Sequence, residues 1–403
     1  MRVQVKQVYL LPPPTHRQMQ ALHSACDWRL NHTLMKELHN CTKCITCVVS
    51  LVLSTTIPSL KIGLNRVKLN SKQSPAMREE SVERSNRSHT TFILIGFPEL
   101  YEYRRLLFFP FFLIYVVVLI GNSVIIYVIK TAESLHTPMY ILISYMAVID
   151  IIVPTAIIPN MLLSLLFDWN RISLAGCLTQ MFFVHYISSF ESTILLIMAL
   201  DRYVAICNPL RYAEIMNTSV FLKMGIFSVI RGGAWMCALI ILAHPLSFCG
   251  SNIINQCYCE HMALVSLACG STTKNNVTGL LMAFTIVGFD ISCILFSYIR
   301  IITVVIKTAS AKERQKAFHT CSTHLIVMFF FYISGSVSFV AYRVSNTIPT
   351  DVHTLLSVMY LVVPASVNPI IYGVRTKEIR QVIVKMFRRR RILVSSNVVT
   401  VKT

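Results

Sequence analysis

The chain has 403 residues, a formal net charge of +19, 54% hydrophobic residues and only 14% charged ones. Soluble domains carry roughly a quarter charged residues, so neither an ordinary water-soluble enzyme nor a disordered chain fits. The basic residues are scattered over many loops instead of gathered on one domain, which argues against nucleic-acid binding.

Residues 1–76 carry ten basic and two acidic side chains. They include the run Pro12 to Pro14 and the segment CTKCITC at 41–47, which with Cys26 reaches the count of a four-ligand metal site. No structured context surrounds these cysteines, so chance spacing is the better reading and no metal is expected. The apolar run 45–57 is too short to span a bilayer and begins too late for a signal peptide. Residues 1–76 are therefore expected to be a basic extension, dispensable and foreign to the rest of the chain. A self-sufficient start lies at Met77, and residues 77–106 read as an extracellular N-terminus with a glycosylation sequon at Asn86.

Seven stretches then reach the ~20 apolar residues that a membrane helix needs. They run over roughly 107–130, 139–166, 177–205, 223–248, 278–306, 317–342 and 353–373. This predicts an all-α membrane protein, with a seven-helix transmembrane bundle over 107–373. The fourth stretch contains Arg231, which must face the bundle or a lipid headgroup. Residues 374–403 form the tail. Within it, 376–391 read as an amphipathic helix lying on lipid, with Ile379, Val382, Val384 and Phe387 among basic residues.

Short-loop charges set the orientation. One set of loops holds Lys130, Arg211, Lys223, Arg300, Lys307, Lys312, Arg314, Lys316, Arg375, Lys377 and the run Arg388 to Arg391. The opposite set mixes Arg171, Lys274 and Arg343 with Asp168, Glu260 and Asp351. The basic set is expected in the cytoplasm and the N-terminus outside, in a multi-pass protein of the plasma membrane.

The third stretch spans about 36 Å from Cys177 to Asp201 at ~1.5 Å per residue, so Cys177 lies at the outer rim and Asp201 at the inner one. An outer thiol invites a disulfide. Cys249, Cys257, Cys259 and Cys269 are all candidate partners, and spacing does not choose among them. Two acids reach the bilayer middle: Asp150, about 17 Å from its inner rim, and Glu191, about 21 Å below Cys177. Two carboxylates at one depth suit a bound cation or shared protons. Asn122 and Asn368 are expected in the same polar cluster. The thiols of Cys207, Cys237, Cys293 and Cys321 read as packing residues.

The most specific motif is MALDRYVAICNPLRY at 198–212. Asp201 and Arg202, followed by Tyr203, place an acid–base pair at the end of an apolar helix, where it is costly unless the two neutralise each other. Such a pair suits a switch, because a small change at the carboxylate frees the arginine. The run resembles the DRY region of rhodopsin-like G-protein-coupled receptors. Its longer form, with SLHTPMY at 134–140, YCEHMALVSLACG at 258–270, KAFHTCSTHL at 316–325, VAYRVSN at 340–346 and PASVNPIIY at 364–372, resembles the odorant receptors. Within them it is similar to the water-soluble-ligand branch, class I.

The resemblance implies the disulfides Cys177–Cys259 and Cys249–Cys269, with Cys257 a spare loop thiol. It also implies a sodium ion at Asp150 and Glu191, and a signalling switch built from Asp201, Arg202, Tyr203, Tyr298, His324 and Tyr372. Tyr332 stands where most rhodopsin-like receptors have tryptophan, and no proline follows, so Gly335 and nearby serines are the candidate hinge. The expected partners are a small odorant, a heterotrimeric G protein of the stimulatory type and membrane lipid. Arg343 and His185 are placed to grip a carboxylate or another small polar anion, with Phe182, Phe183, Phe339, Tyr332 and Tyr360 around its carbon chain.

A receptor of the same fold serving a signal other than smell stays open. An enzyme does not, because no HExxH, GxSxG or phosphate-cradling glycine loop is present. A transporter would show repeated halves and interrupted helices, and these are absent.

Overall fold

A computed structural model describes residues 88–308, 311–343, 348–386 and 388. The extension 1–76 with its cysteines, Asn86, Phe387 and Arg389 to Arg391 lie outside the described residues. Seven helices among the described residues are long and apolar enough to cross a membrane: Tyr101–Thr131, Pro138–Phe167, Leu174–Cys207, Thr218–Ala243, Thr273–Lys307, Arg314–Arg343 and Thr350–Arg375. In chain order they are the first to seventh spans. The second and third bury 72% and 67% of their apolar windows, whereas the fifth buries 17%. Two spans are thus central, and the outer faces of the rest are left for lipid, with Phe109, Leu113, Ile230, Phe296 and Phe329 fully in view.

Three spans depart from regular helix. The second breaks between Thr155 and Ile158, just past Pro154. The amide of Ala156 settles on three carbonyls in place of one, and the Gln180 amide donates to the Ala156 carbonyl at 3.2 Å. The fifth begins earlier than the sequence suggests and widens into one π turn at Phe284–Gly288. The seventh contains Pro364 and Pro369. Proline lacks the amide that would serve the carbonyl four residues back, which for Pro369 is Ala365. The Asn122 side chain supplies the missing donor, reaching the Ala365 carbonyl at 2.8 Å. Gly121 makes room for it: a Cβ there would stand 2.9 Å from the Pro369 ring.

The sixth helix runs unbroken over Ala311–Arg343. Gly335 lies within this continuous helix. A Cβ at that position would stand 3.1 Å from the Tyr360 ring, so the glycine allows the sixth and seventh spans to approach. After Thr376 the chain is helical again to Met386. Ile379 is fully buried, and Val382, Ile383 and Met386 pack beside it on the bundle. Val384, expected on the apolar stripe, is 43% exposed.

Hydropathy gives no sign of a small sheet of order β2-β1-β3 that covers the end of the bundle opposite Asp201. Strand β1 (Thr91–Leu94) pairs antiparallel with β2 (Arg171–Ser173) and parallel with β3 (Ile253–Ile254). Phe92 points down from it, fully buried, edge-on to Phe248 at 5.2 Å. The same end carries two disulfides, Cys177 to Cys259 and Cys249 to Cys269, with Cα atoms 5.3 and 5.9 Å apart. It is the disulfide end of the bundle, and the Asp201 end is the basic end. Cys257 is unpaired, but it is no loose loop thiol: it is 7% exposed and packs with Phe97 and Phe111.

A methyl group on Gly96 would collide with the Cys257 sulfur, while the Cys257 Cβ would lie at 3.6 Å, an ordinary contact. Gly96→Ala is therefore expected to lower surface level, as overpacking costs about 1–3 kcal/mol. The double variant Gly96→Ala/Cys257→Ala should recover it. Flow cytometry of a surface tag checks both, and equal defects in single and double variants would contradict the contact.

Candidate ligand and signalling sites

At the basic end, Asp201 is fully buried and holds three donors. Arg202 Nε and Nη2 donate to its Oδ2 at 3.0 and 2.6 Å, and the Tyr212 hydroxyl donates to Oδ1 at 2.6 Å. Tyr212 sits in a short helix after the third span, Tyr212–Ile215. The sequence reading missed it, although its place eleven residues after Asp201 in the same motif was a usable signal. Tyr203 packs half-buried on the core. The Tyr298 hydroxyl and His324 Nδ1 are buried with no hydrogen-bond partner among the described residues. The Tyr372 hydroxyl reaches only the Met146 sulfur at 3.8 Å, and its ring centroid lies 6.1 Å from that of His324. Arg375, also missed, donates to Ser322 at 2.7 Å and Thr323 at 3.3 Å, fastening the seventh span to the sixth.

At mid-depth, Asp150 and Glu191 line one small cavity with Ser188 and Tyr360. Its volume is about 10 Å³, roughly room for a single water-sized species. Asn368 donates to Asp150 at 3.0 Å, while Glu191 Oε1 has no partner among the described residues. Asn122 does not itself line the cavity; its amide donates to the carbonyls of Val118 and of Ala365, and Ala365 is a lining residue. Tyr360 belongs here, below the odorant position expected for it.

A second buried network joins four spans. Arg231 donates to both oxygens of Asp290, at 2.7 and 2.9 Å, and to Thr193 at 2.7 Å. Ser192 donates to Asp290 at 2.6 Å and shares a 3.1 Å bond with the Tyr332 hydroxyl. Tyr332 is thus a member of this network. Asp290 is fully buried. It was overlooked in the sequence, yet a lone acid in one apolar span and a lone arginine in another are mutual predictors.

The disulfide end holds the third cluster. His185 on the third span, His261 on the loop helix His261–Val265 and Asn275 on the fifth span meet near Arg343 of the sixth. His185 Nε2, His261 Nε2 and Asn275 Oδ1 are buried and unpartnered among the described residues. Burial holds the His261 imidazole down at about 4, helped by the nearby His185 and Arg343, so its ring is neutral at ordinary pH. Arg343 lies over the Phe339 ring at 5.1 Å and donates to the Asn276 carbonyl at 3.4 Å. It does not pair with Asp351, which accepts from the Glu99 amide instead. Phe183 meets Phe182 edge-on, and Phe182 stacks on Tyr186. Tyr186 lies against Gly232, which puts Phe182 at the contact between third and fourth spans.

The family model for olfactory receptors matches residues 111–390. The chain belongs to the olfactory receptor family. This olfactory receptor is 41% identical to human olfactory receptor 51E2 over 303 residues, 75% of this chain and 95% of the relative. It is likewise 41% identical to human olfactory receptor 52K2, over 75% of this chain and 96% of that one. Among solved structures, squid rhodopsin superposes with a TM-score of 0.55 at 18% identity, over 70% of this chain and 86% of that chain. That likeness carries the seven-helix receptor fold alone. The olfactory receptor is accordingly a multi-pass membrane receptor and not an enzyme, and its family senses odorants through G proteins.

Breaking a buried ion pair from one side costs about 3–5 kcal/mol, whereas replacing both partners by apolar groups is often tolerated. Asp290→Leu and Arg231→Met should each sharply reduce the folded receptor at the surface. The combination should restore much of it, as read by surface labelling. Additive losses would contradict the pairing.

Proposed function

We propose that this olfactory receptor answers small carboxylic acids or other small polar anions at the disulfide end and signals through a stimulatory G protein at the basic end. The observation that carries the ligand reading is the pair of buried imidazoles of His185 and His261, whose Nε2 atoms have no partner among the described residues, beside Arg343. Leaving a buried polar atom unpaired costs about 1–3 kcal/mol, so a ligand that pairs them gains that much in affinity. A guanidinium offers a carboxylate two parallel bonds, and an imidazole adds a third donor. Phe339, beneath the Arg343 guanidinium, suits a short carbon chain.

The loop charges support a disulfide end facing outward, with the N-terminus, and a basic end in the cytoplasm. The helix after Thr376 then lies along the inner leaflet, with Lys377, Arg380, Lys385 and Arg388 near anionic lipid. The Asp150–Glu191 cavity supports one small cation, sodium, or a proton shared by the two acids. Residues 1–76 are read as an extension that the receptor does not need.

In the resting state Asp201 holds Arg202, and Tyr212 steadies Asp201. Activation releases Arg202 to the G protein, with Tyr298 and Tyr372 closing on the vacated space. Arg202→Ala should reach the surface and lose cAMP signalling. Tyr212→Phe removes one of three donors to Asp201 and should raise ligand-independent cAMP about two- to tenfold, in line with ~0.5–1.5 kcal/mol for one hydrogen bond. A basal level unchanged by Tyr212→Phe would refute its part in the lock.

A cAMP reporter with matched acids, alcohols and amines tests the ligand reading. Arg343→Ala should weaken responses to acids by about a hundredfold or more, as expected for a charge-assisted bidentate contact, at normal surface level. Equal responses to acids without Arg343 would sink the acid reading.

A further inference from the structure

We propose that Glu260 is a specificity-determining residue: its carboxylate competes with a ligand carboxylate for Arg343, so acids are answered best when Glu260 is neutral. This rests on the acid reading of the same site.

Glu260 is fixed in place from two sides. It follows Cys259, which the disulfide ties to Cys177 on the third span. Its Oε2 accepts the Ala263 amide at 2.8 Å, capping the helix His261–Val265. The carboxylate therefore cannot swing out into water without uncapping that helix. It faces the Tyr342 hydroxyl and the Arg343 guanidinium of the sixth span. On its own loop the charged or titratable neighbours are Tyr258 and His261. From the third span His185 approaches His261, and from the seventh His353 packs on Tyr342 with ring centroids 3.8 Å apart. The fifth span adds the neutral amide of Asn275.

Arg343 is the guanidinium among these neighbours, and so the group a ligand carboxylate would pair with. A ligand carboxylate drawn to it arrives next to a second carboxylate. Two like charges drawn to one guanidinium repel each other. Burial raises the Glu260 carboxyl to about 7, against the pull of the Ala263 and Met262 amides, Tyr342 and Arg343. Above that value Glu260 is charged and opposes the ligand. Below it Glu260 is protonated, no longer repels, and its hydroxyl can donate to the ligand. His261 stays neutral throughout, being held at about 4. The ligand acid, with a pKa of about 4.5, stays ionised across the same window. The Tyr342 hydroxyl faces both Glu260 and Ser357.

The test is a cAMP dose–response series from about pH 6 to about pH 8, with short straight-chain monocarboxylates and their matched alcohols as probes. In the native receptor the half-maximal concentration for acids should fall roughly tenfold towards the acidic side, the scale of one removed like charge, while that for alcohols stays level. Glu260→Gln should respond to acids at about pH 8 as the native receptor does at about pH 6, with a flat profile. Glu260→Asp, which keeps both charge and cap, should keep the slope. Glu260→Ser also caps a helix and replaces the Gln variant if that one misses the surface. A native slope retained by the neutral variant, or an unchanged response to acids at about pH 8, overturns the proposal. If Arg343→Ala abolishes acid responses while Glu260→Gln alters nothing, the acid reading stands and only the role of Glu260 falls. If neither variant alters them, the acid reading itself is wrong.

Discussion

The structure depends on one constraint: a charge inside an apolar bundle must find its counter-charge inside the bundle. Removing two charges from water costs several kcal/mol each even after relaxation, and hydrocarbon offers no hydrogen bonds in compensation. Arg231 and Asp290 meet that demand across the fourth and fifth spans, with Ser192 of the third adding a donor to Asp290 and Thr193 an acceptor to Arg231. Asp201 meets it at the basic end with its own neighbour Arg202 and with Tyr212. Both solutions use the third span, which is also where Cys177 anchors the loop lid. One helix thus carries a fixed point at its top, its middle and its foot. The lipid-facing spans can be nearly featureless hydrocarbon because this one is not.

The seven spans and their order were legible because hydropathy over ~20 residues is a direct consequence of bilayer thickness. Span ends shifted by several residues, as at Thr273 of the fifth, because helices continue past the hydrocarbon into loops whose amides they still satisfy. The small sheet was not legible. Its strands are two to four residues long, too short for a period of two to register, and its partners are distant in sequence. Asn122 was legible as a buried polar residue but not as the partner of the Ala365 carbonyl. That assignment needs the first and seventh spans side by side, and only then does the donor missing at Pro369 identify its replacement. Asp290 and Tyr212 were missed for a different reason: each was readable in the sequence, but only as half of a pair.

Tyr332 shows how depth alters a role. Read from sequence, an aromatic residue in the sixth span next to Phe331 belongs with a ligand's carbon chain. In the structure its hydroxyl engages Ser192, which itself donates to Asp290. The ring therefore stands between the His185 cluster above and the buried ion pair beside it. It is the one residue of the sixth span, among those described, that bonds to this network. Any movement of the sixth span about its foot must stretch or release that 3.1 Å bond. Gly335, one turn away, lets the seventh span approach closely enough for Tyr360 to fill the space on the other side.

This arrangement limits what an odorant can accomplish. A ligand shifts an equilibrium only by the difference in its affinity for the two states. Moving a receptor from almost fully resting to almost fully active takes about 5.5 kcal/mol of such difference. A small acid with one charged group and a few carbons has few contacts with which to supply it, given a ceiling near ~1.5 kcal/mol per heavy atom for the smallest ligands and much less for most. The resting state must then be held only weakly against the active one. The geometry at the foot of the third span agrees with that requirement. Arg202 leans on a carboxylate that has a second donor in Tyr212, so releasing the arginine does not strand Asp201 without a partner. The Tyr298 hydroxyl and His324 Nδ1, without partners among the described residues, lie near Arg202. In the switch proposed above, contacts available on the other side would offset the cost of opening the lock and bring the transition within reach of a ligand that small.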